Sequence, residues 1–390
     1  MIVFCANRLY TPVEEIANPL VFVEDGIVSA ISARDQREIP RNATVIDFAK
    51  ELPESILAPG SVDIHIHGGA GVDLMRAASG DLGRLHKFLA SRGVTGYFPT
   101  TVAAPLDDTC RALTRLADAI EMKYPESPDG SGAQPLGIHL EGPFLSHRRR
   151  GVHPPENLVA PTLGTFERLW EAARGHIRMM TIAPELPGAF EVIAAAATRN
   201  VCVSIGHSDA DLETARAGVR AGARHATHTF NAMRPFDHRD PGIIGEVLTD
   251  KSLSADIIAD GIHLAAEVVE VFLRMKGTER AVLITDAISA TGMPEGTYQL
   301  GPIQVEVKDG KCTSNGSLAG SVLTMDRAVR NVMKFAGWSL QNAVRAATLN
   351  AAQTVGLTDH GRLAPGAKAN FVILSGRGEV LRTICRGEIC

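Results

Sequence analysis

His65 and His67 stand two residues apart in the segment Pro59-Gly60-Ser61-Val62-Asp63-Ile64-His65-Ile66-His67-Gly68-Gly69. On a strand, residues two apart face the same side, so two imidazoles can reach one cation from a single strand end. Four more segments share this build, each a short apolar run ending in a residue type that ligates metals. They are 138–143 with Glu141, 203–208 with His207, 226–231 with His228 and 283–287 with Asp286. Imidazole and carboxylate together suit zinc or iron. A carboxylate at the end of a buried strand is costly unless it is paired or bound to a cation, and Glu141 has one oxygen for each of two ions. Asp286 can touch both an ion and the water that the ion activates, which makes it the general-base candidate. The set points to metal-assisted hydrolysis.

Other polar residues are weaker signals singly. Gly151-Val152-His153 follows the apolar run at 136–141, Asp260-Gly261-Ile262-His263 follows that at 254–258, and Asn231 and Arg239 follow that at 225–229. Arginine and histidine are the types expected to hold a phosphate, although an isolated arginine is as readily a solvated surface residue. His225 and His139 read as core histidines, with His139 near enough to Glu141 to line the site.

Such ligands need a scaffold that brings several strand ends to one place. Strands are expected at 56–67, 93–101, 136–141, 178–183, 201–206, 225–229, 254–258 and 281–285, with helices between them such as 106–124, 189–199 and 211–221. Eight parallel strands with crossover helices predict an α/β fold of the (β/α)8 TIM-barrel type, with the ligands at one rim. An open doubly wound sheet would usually carry a Gly-rich phosphate loop after its first strand, and the sequence has none there. The ends differ in style. An Asp25-Gly26 turn between two apolar runs predicts a hairpin, and 370–374 and 379–384 read as further strands. Short strands need partners, so residues 1–55 and 362–390 are expected to form a small β-sandwich around a barrel at 56–361. A small hairpin around Asp309-Gly310 and helices at 323–336 and 340–355 should follow the eighth strand, and 126–132 reads as a polar loop.

Bulk properties narrow the field. The chain has 390 residues, 45% hydrophobic and 21% charged, with a formal charge of -5. That balance argues against broad nucleic-acid or anionic-membrane binding. No apolar run approaches the roughly 18 residues a membrane helix needs, and the first residues lack the pattern of a signal peptide. Six cysteines form no Cys-x-x-Cys pair, which fits free thiols in a cytoplasmic protein. The run Arg148-Arg149-Arg150 reads as a solvated loop or a mobile flap.

Residues 59–68 resemble the opening signature of the amidohydrolase superfamily. His139-Leu140-Glu141-Gly142-Pro143-Phe144, Gly206-His207-Ser208, Thr227-His228-Thr229-Phe230-Asn231-Ala232-Met233, Asp260-Gly261-Ile262-His263, Thr285-Asp286-Ala287 and Leu318-Ala319-Gly320-Ser321 together resemble its N-acetylglucosamine-6-phosphate deacetylase family, over nearly the whole chain. The resemblance implies hydrolysis of an N-acetylated hexosamine 6-phosphate to the amine and acetate. It implies a divalent metal, zinc or iron(II), at Glu141, His207 and His228, and a second at His65 and His67 with Asp286 nearby in members that carry two. Asp286 would take a proton from the attacking water and pass it to the leaving amine, and His153 would polarise the acetamide carbonyl. Val152, Asn231, Ala232, Arg239 and His263 would contact the sugar phosphate, and Leu318, Ala319 and Gly320 would pack on the sugar. A homodimer is implied, with the phosphate site near its interface, so that Arg239 or His263 acts in its own or the partner subunit. Many superfamily members carry a bridging lysine on the fourth strand; residues 178–185 contain none, which weighs against dihydroorotase-like activity. The alternatives are the galactosamine epimer as substrate, a deaminase of cyclic amidines, and a non-catalytic scaffold.

Overall fold

The computed structural model describes residues 1–11, 14–52, 54–122 and 132–390. Eight parallel strands form the central barrel: β1 (Ser61–Ile66), β2 (Val94–Pro99), β3 (Ile138–Glu141), β4 (Ile177–Ile182), β5 (Cys202–Ile205), β6 (His225–Ala226), β7 (Ser254–Ile258) and β8 (Ala281–Ile284). Strands β3 to β8 pair in chain order, and β2 pairs with β1. Parallel bridges Thr100–His139 and Ile66–Ala287 join the two runs and close the ring. Strands covered on both faces are near-continuous apolar runs, and β2, β3, β5, β7 and β8 are buried at every residue.

The helices that return the chain are α1 (Leu82–Ser91), α2 (Leu106–Glu121), α3 (Leu163–Ala172), α4 (Ala189–Thr198), α5 (Leu212–Ala221), α6 (Gly242–Thr249) and α7 (Ala266–Arg280). In α2 the buried Thr109, Ala112, Leu113 and Leu116 recur at helical spacing, and Asp107 and Asp108 sit where the helix dipole favours negative charge. Asp211 caps α5 by accepting from Thr214 N at 2.8 Å. Gly222 ends it at φ 134°, and a Cβ there would lie 2.9 Å from that of Ala197. After β8 come α8 (Met325–Ala336), α9 (Leu340–Ala347) and α10 (Leu349–Thr354).

Several expectations are corrected. The first expected strand is two: Ile56–Pro59 pairs with the terminal strands Arg8–Tyr10 and Phe371–Leu374, and β1 starts at Ser61. Gly60 is the joint, where a Cβ would sit 2.3 Å from Thr95 Cγ2. Strand β6 stops at Ala226 rather than 229, because the chain turns through left-handed backbone at His228 (φ 30°) and Phe230 (φ 78°). The helix expected at 340–355 breaks at Thr348. The hairpin at Asp309-Gly310 belongs to a four-stranded meander of Gly296–Leu300, Ile303–Lys308, Lys311–Ser314 and Ser317–Leu318. The end of the 106–124 helix beyond 122 and the polar loop up to residue 131 lie outside the described residues.

The two chain ends build two sheets. One orders Ile27–Ala33, Pro19–Glu24, Ile2–Cys5 and Thr44–Asp47; the other orders Glu388–Ile389, Val380–Cys385, Phe371–Leu374, Ile56–Pro59, Arg8–Tyr10 and Glu15–Ala17. The hairpin at Asp25-Gly26 has positive φ at both turn residues (49° and 72°), as a tight hairpin turn requires. Phe4, Leu57, Phe371 and Ile384 fill the layer between, with the Phe4 and Phe371 rings edge-on at 4.9 Å. Among the described residues no helix is long and apolar enough to cross a membrane.

Candidate active site

The barrel brings the six metal-ligand candidates to one rim. His65 and His67 place their Nε2 atoms 3.2 Å apart at the end of β1. Asp286 follows β8, and its N–H donates to the His65 carbonyl at 3.0 Å. Its Oδ1 lies 3.1 Å from His67 Nε2 and 3.5 Å from His65 Nε2. Buried Asp63 ties β1 to β8: Thr285 Oγ1 donates to its Oδ2 at 2.5 Å, and burial, opposed by the Thr285 bonds, pushes its carboxyl up to about 7.

Glu141 is the centre of the set. Its Oε1 lies 3.2 Å from His228 Nε2, 3.3 Å from His207 Nε2 and 3.5 Å from His65 Nε2. Its Oε2 lies 3.4 Å from His67 Nε2 and 3.6 Å from His153 Nε2. Two groups of close ligand atoms result, His65–His67–Asp286 and Glu141–His207–His228. His207, His228 and Asp286 all hold left-handed backbone, with φ of 47°, 30° and 50°. For non-glycine residues that costs on the order of 1–3 kcal/mol each and concentrates where function demands it.

The hydrogen bonds around these rings suit a cation. His67 Nδ1 donates to the Thr100 carbonyl at 3.2 Å and His207 Nδ1 to the Arg149 carbonyl at 2.9 Å. Neutral rings held this way carry bare lone pairs on Nε2. Yet His207 Nε2 lies 3.0 Å from His228 Nε2. Converging lone pairs and carboxylates in a buried site require positive charge between them. In the protein alone, protons fill that role. Burial opposes the charged form of His67, but the Asp286 and Glu141 carboxylates outweigh it and raise the ring to about 10. Glu141 likewise overcomes burial at His228 and raises it to about 9. At His207 burial prevails and lowers the ring to about 4.

A pocket opens over this cluster. It is lined by His67, Glu141, His207, His228 and Asp286, and by Val152, His153, Asn231, Ala232, His263, Leu318 and Gly320 among the expected substrate residues. His65 is fully buried and outside the lining. The Ala103 N–H donates to His153 Nδ1 at 3.1 Å, so the neutral ring carries its proton on Nε2. His263 Nδ1 contacts Asp260 Oδ2 at 2.8 Å; burial opposes ionisation of that carboxyl, but the His263 bond holds it below its usual range. The Asn231 side-chain nitrogen is buried without a partner among the described residues.

Two expected substrate residues are not in the lining. Ala319 is fully buried, its N–H donating to the Cys312 carbonyl at 3.0 Å. Arg239 is exposed on the loop after β6, its N–H held by Asp237. His139 and His225 behave as core histidines. His139 bonds Ile64 O and Thr181 Oγ1 and stacks edge-on with His65 at 4.6 Å, and His225 bonds Asp256 Oδ2 at 2.8 Å. Sequence reading missed Val102, Ile258 and Leu300 in the lining. It also missed Asp256, which accepts from the His228 N–H; an acid inside an apolar strand was its available signal. The main-chain groups of Thr100, Ala103 and Arg149 have no residue-type signature.

The amidohydrolase family model matches residues 56–390. The chain is 36% identical over 386 residues to an N-acetylglucosamine-6-phosphate deacetylase of Bacillus subtilis (strain 168), covering 98% of this chain and 95% of that one. It is also 36% identical over 386 residues to an N-acetylgalactosamine-6-phosphate deacetylase of Escherichia coli O157:H7, covering 98% of each. Among solved structures it is similar to a mutant N-acetyl-D-glucosamine-6-phosphate deacetylase from Mycobacterium smegmatis in complex with N-acetyl-D-glucosamine-6-phosphate. That match has a TM-score of 0.90 and 33% identity, over 100% of this chain and 98% of that one.

Proposed function

The chain belongs to the amidohydrolase family, and from that premise we propose that it hydrolyses the acetamido group of N-acetylglucosamine 6-phosphate, releasing acetate and glucosamine 6-phosphate in amino-sugar metabolism. The observation that carries this reading is the meeting of two ligand groups on Glu141, in a pocket where His153 offers a fixed N–H.

Glu141, His207 and His228 would hold a divalent ion, zinc or iron(II), and His65, His67 and Asp286 a second where two are bound; such an ion would supply Lewis-acid polarisation and a more acidic water. In the protein without a cation Asp286 is ionised: burial opposes this, but His67 and His65 outweigh it and bring the carboxyl to about 2; an ion held in place of the His67 proton would likewise favour the carboxylate. Asp286 accepts a proton from the water that attacks the amide carbon. As the C–N bond breaks, it returns that proton to the leaving nitrogen. The His153 Nε2–H donates to the carbonyl oxygen as negative charge grows there. Asn231 and His263 hold polar and anionic groups of the substrate, while Val152, Ala232, Leu318 and Gly320 meet the sugar. Ala319 supports that wall from the buried side.

Arg239 reaches the phosphate of a partner subunit in a homodimer. Its exposure, beside a Phe236 that is 54% exposed, supports that role. The free cysteines fit a cytoplasmic setting. Residues 61–361 serve as the catalytic unit, with 1–59 and 362–390 as the sandwich attached to it, since Ile56–Pro59 pairs with the terminal strands.

A second reading, the C4 epimer as substrate, is favoured by the Escherichia coli relative. Acetate release from the two N-acetylhexosamine 6-phosphates, measured side by side, tests the choice. A higher kcat/KM for the gluco form is expected, and a preference for the galacto form would overturn it.

A further inference from the structure

The hydrolytic reading leaves the run Arg148-Arg149-Arg150 without a role. It lies on the flap 146–157 between β3 and α3, and two of its guanidinium groups converge on one carboxylate. Arg149 Nε donates to Asp209 Oδ1 at 2.7 Å and Arg148 Nη1 to Asp209 Oδ2 at 3.2 Å. The Asp209 side chain is only 14% exposed. Its backbone is anchored, because its N–H donates to Glu185 Oε1 at 2.6 Å and the neighbouring Ser208 Oγ donates to Glu185 Oε2 at 2.7 Å.

The same flap grips His207, two residues before Asp209. The Arg149 carbonyl receives the His207 Nδ1 proton at 2.9 Å, and the Ser146 N–H donates to the His207 carbonyl at 3.0 Å. Gly151 lies so close that a Cβ there would sit 3.3 Å from His207 Cε1. Two residues further on, His153 takes its bond from Ala103. The contacts close a ring: the Arg149 side chain to Asp209, Asp209 along the chain to His207, and His207 back to the Arg149 carbonyl.

We propose that Asp209 is a positioning residue that latches the flap through Arg148 and Arg149, so that one ion-pair cluster sets both the orientation of the His207 ring and the seating of His153. The proposal rests on the reading of His207 as a metal ligand and His153 as the carbonyl partner. An exposed ion pair has little worth of its own. The partner of a metal-ligating histidine matters far more, about 10–100-fold in metal affinity. The effect is one-sided, because His67 rests on the Thr100 carbonyl, outside the ring of contacts.

The test uses the full-length protein and the variants Asp209→Ala, Asp209→Glu and the double Arg148→Ala/Arg149→Ala, which keeps the Arg149 carbonyl. Zinc affinity is read by competition with a chromophoric chelator, and acetate release is measured on the same samples. Asp209→Ala and the double variant are expected to bind zinc about 10–100-fold more weakly and to lose more in kcat than in KM, with Asp209→Glu recovering most of both. Zinc affinity within about twofold of the unmodified protein in both disrupted variants would overturn the latch, since a ligand's partner is worth about 10-fold or more. So would a loss in Asp209→Ala with full affinity in the double variant, since the carboxylate would then act without its arginines. Should Asp209→Ala fail to fold, the double variant decides alone. A parent protein that releases no acetate would refute the catalytic reading, while the zinc titration would still decide the latch.

Discussion

The Ala103 N–H points at His153 Nδ1 from 3.1 Å, and this bond obliges the neutral His153 ring to present its other nitrogen as a donor. That nitrogen lies 3.6 Å from Glu141 Oε2, at the mouth of the ligand cluster. His153→Asn or His153→Ala should therefore lower kcat by about 10²–10³-fold with little change in KM. Steady-state kinetics checks this, and a variant whose loss falls on KM alone would remove His153 from the transition state.

Asp286 is the proposed proton carrier. Asp286→Asn keeps shape and removes the base, so activity should fall by about 10²–10⁴-fold while the thermal unfolding midpoint stays close to that of the unmodified protein. Turnover retained in this variant would exclude Asp286 as the base.

The candidate ligand cluster was legible in the sequence because each member lies at or just past the end of an apolar run, and the barrel was legible because strands and helices alternate. His65-Ile66-His67 also carried its own geometry, since residues two apart share a face. What escaped reading was set by tertiary contact. The joint at Gly60 depends on Thr95, which lies far along the chain. The short β6 depends on the left-handed turn at His228. The strand Gly296–Leu300 is largely exposed or half-buried and lacks a clean alternation. The arginine run could be read only as a solvated loop or a flap, because its partner Asp209 lies about sixty residues on.

Metal binding should be linked to proton release. Without a cation, the facing carboxylates outweigh burial and raise His67 to about 10 and His228 to about 9, which favours the protonated rings at neutral pH. An ion must displace those protons, and its affinity must rise with pH and fall as pH drops. Zinc competition titrations at two pH values, one below and one above neutrality, are expected to give clearly tighter binding at the higher pH. Equal affinity would mean that these imidazoles do not ligate the ion.

Arg239 is exposed within its own subunit, and its proposed place is the phosphate site of a partner subunit. Arg239→Ala should raise KM for the phosphorylated sugar several-fold and leave kcat nearly unchanged. An unaltered preference for phosphorylated over unphosphorylated sugar would remove Arg239 from substrate binding.

The most direct measurement is acetate release from N-acetylglucosamine 6-phosphate by protein stripped of metal and then titrated with zinc or iron(II), with bound metal determined on the same samples. The account predicts no turnover in stripped protein, and acetate and free amine in equal amounts as metal is restored. Its saturation at one or two ions per chain would report whether the His65–His67–Asp286 group takes part. A fully metallated protein that releases no acetate would contradict the account.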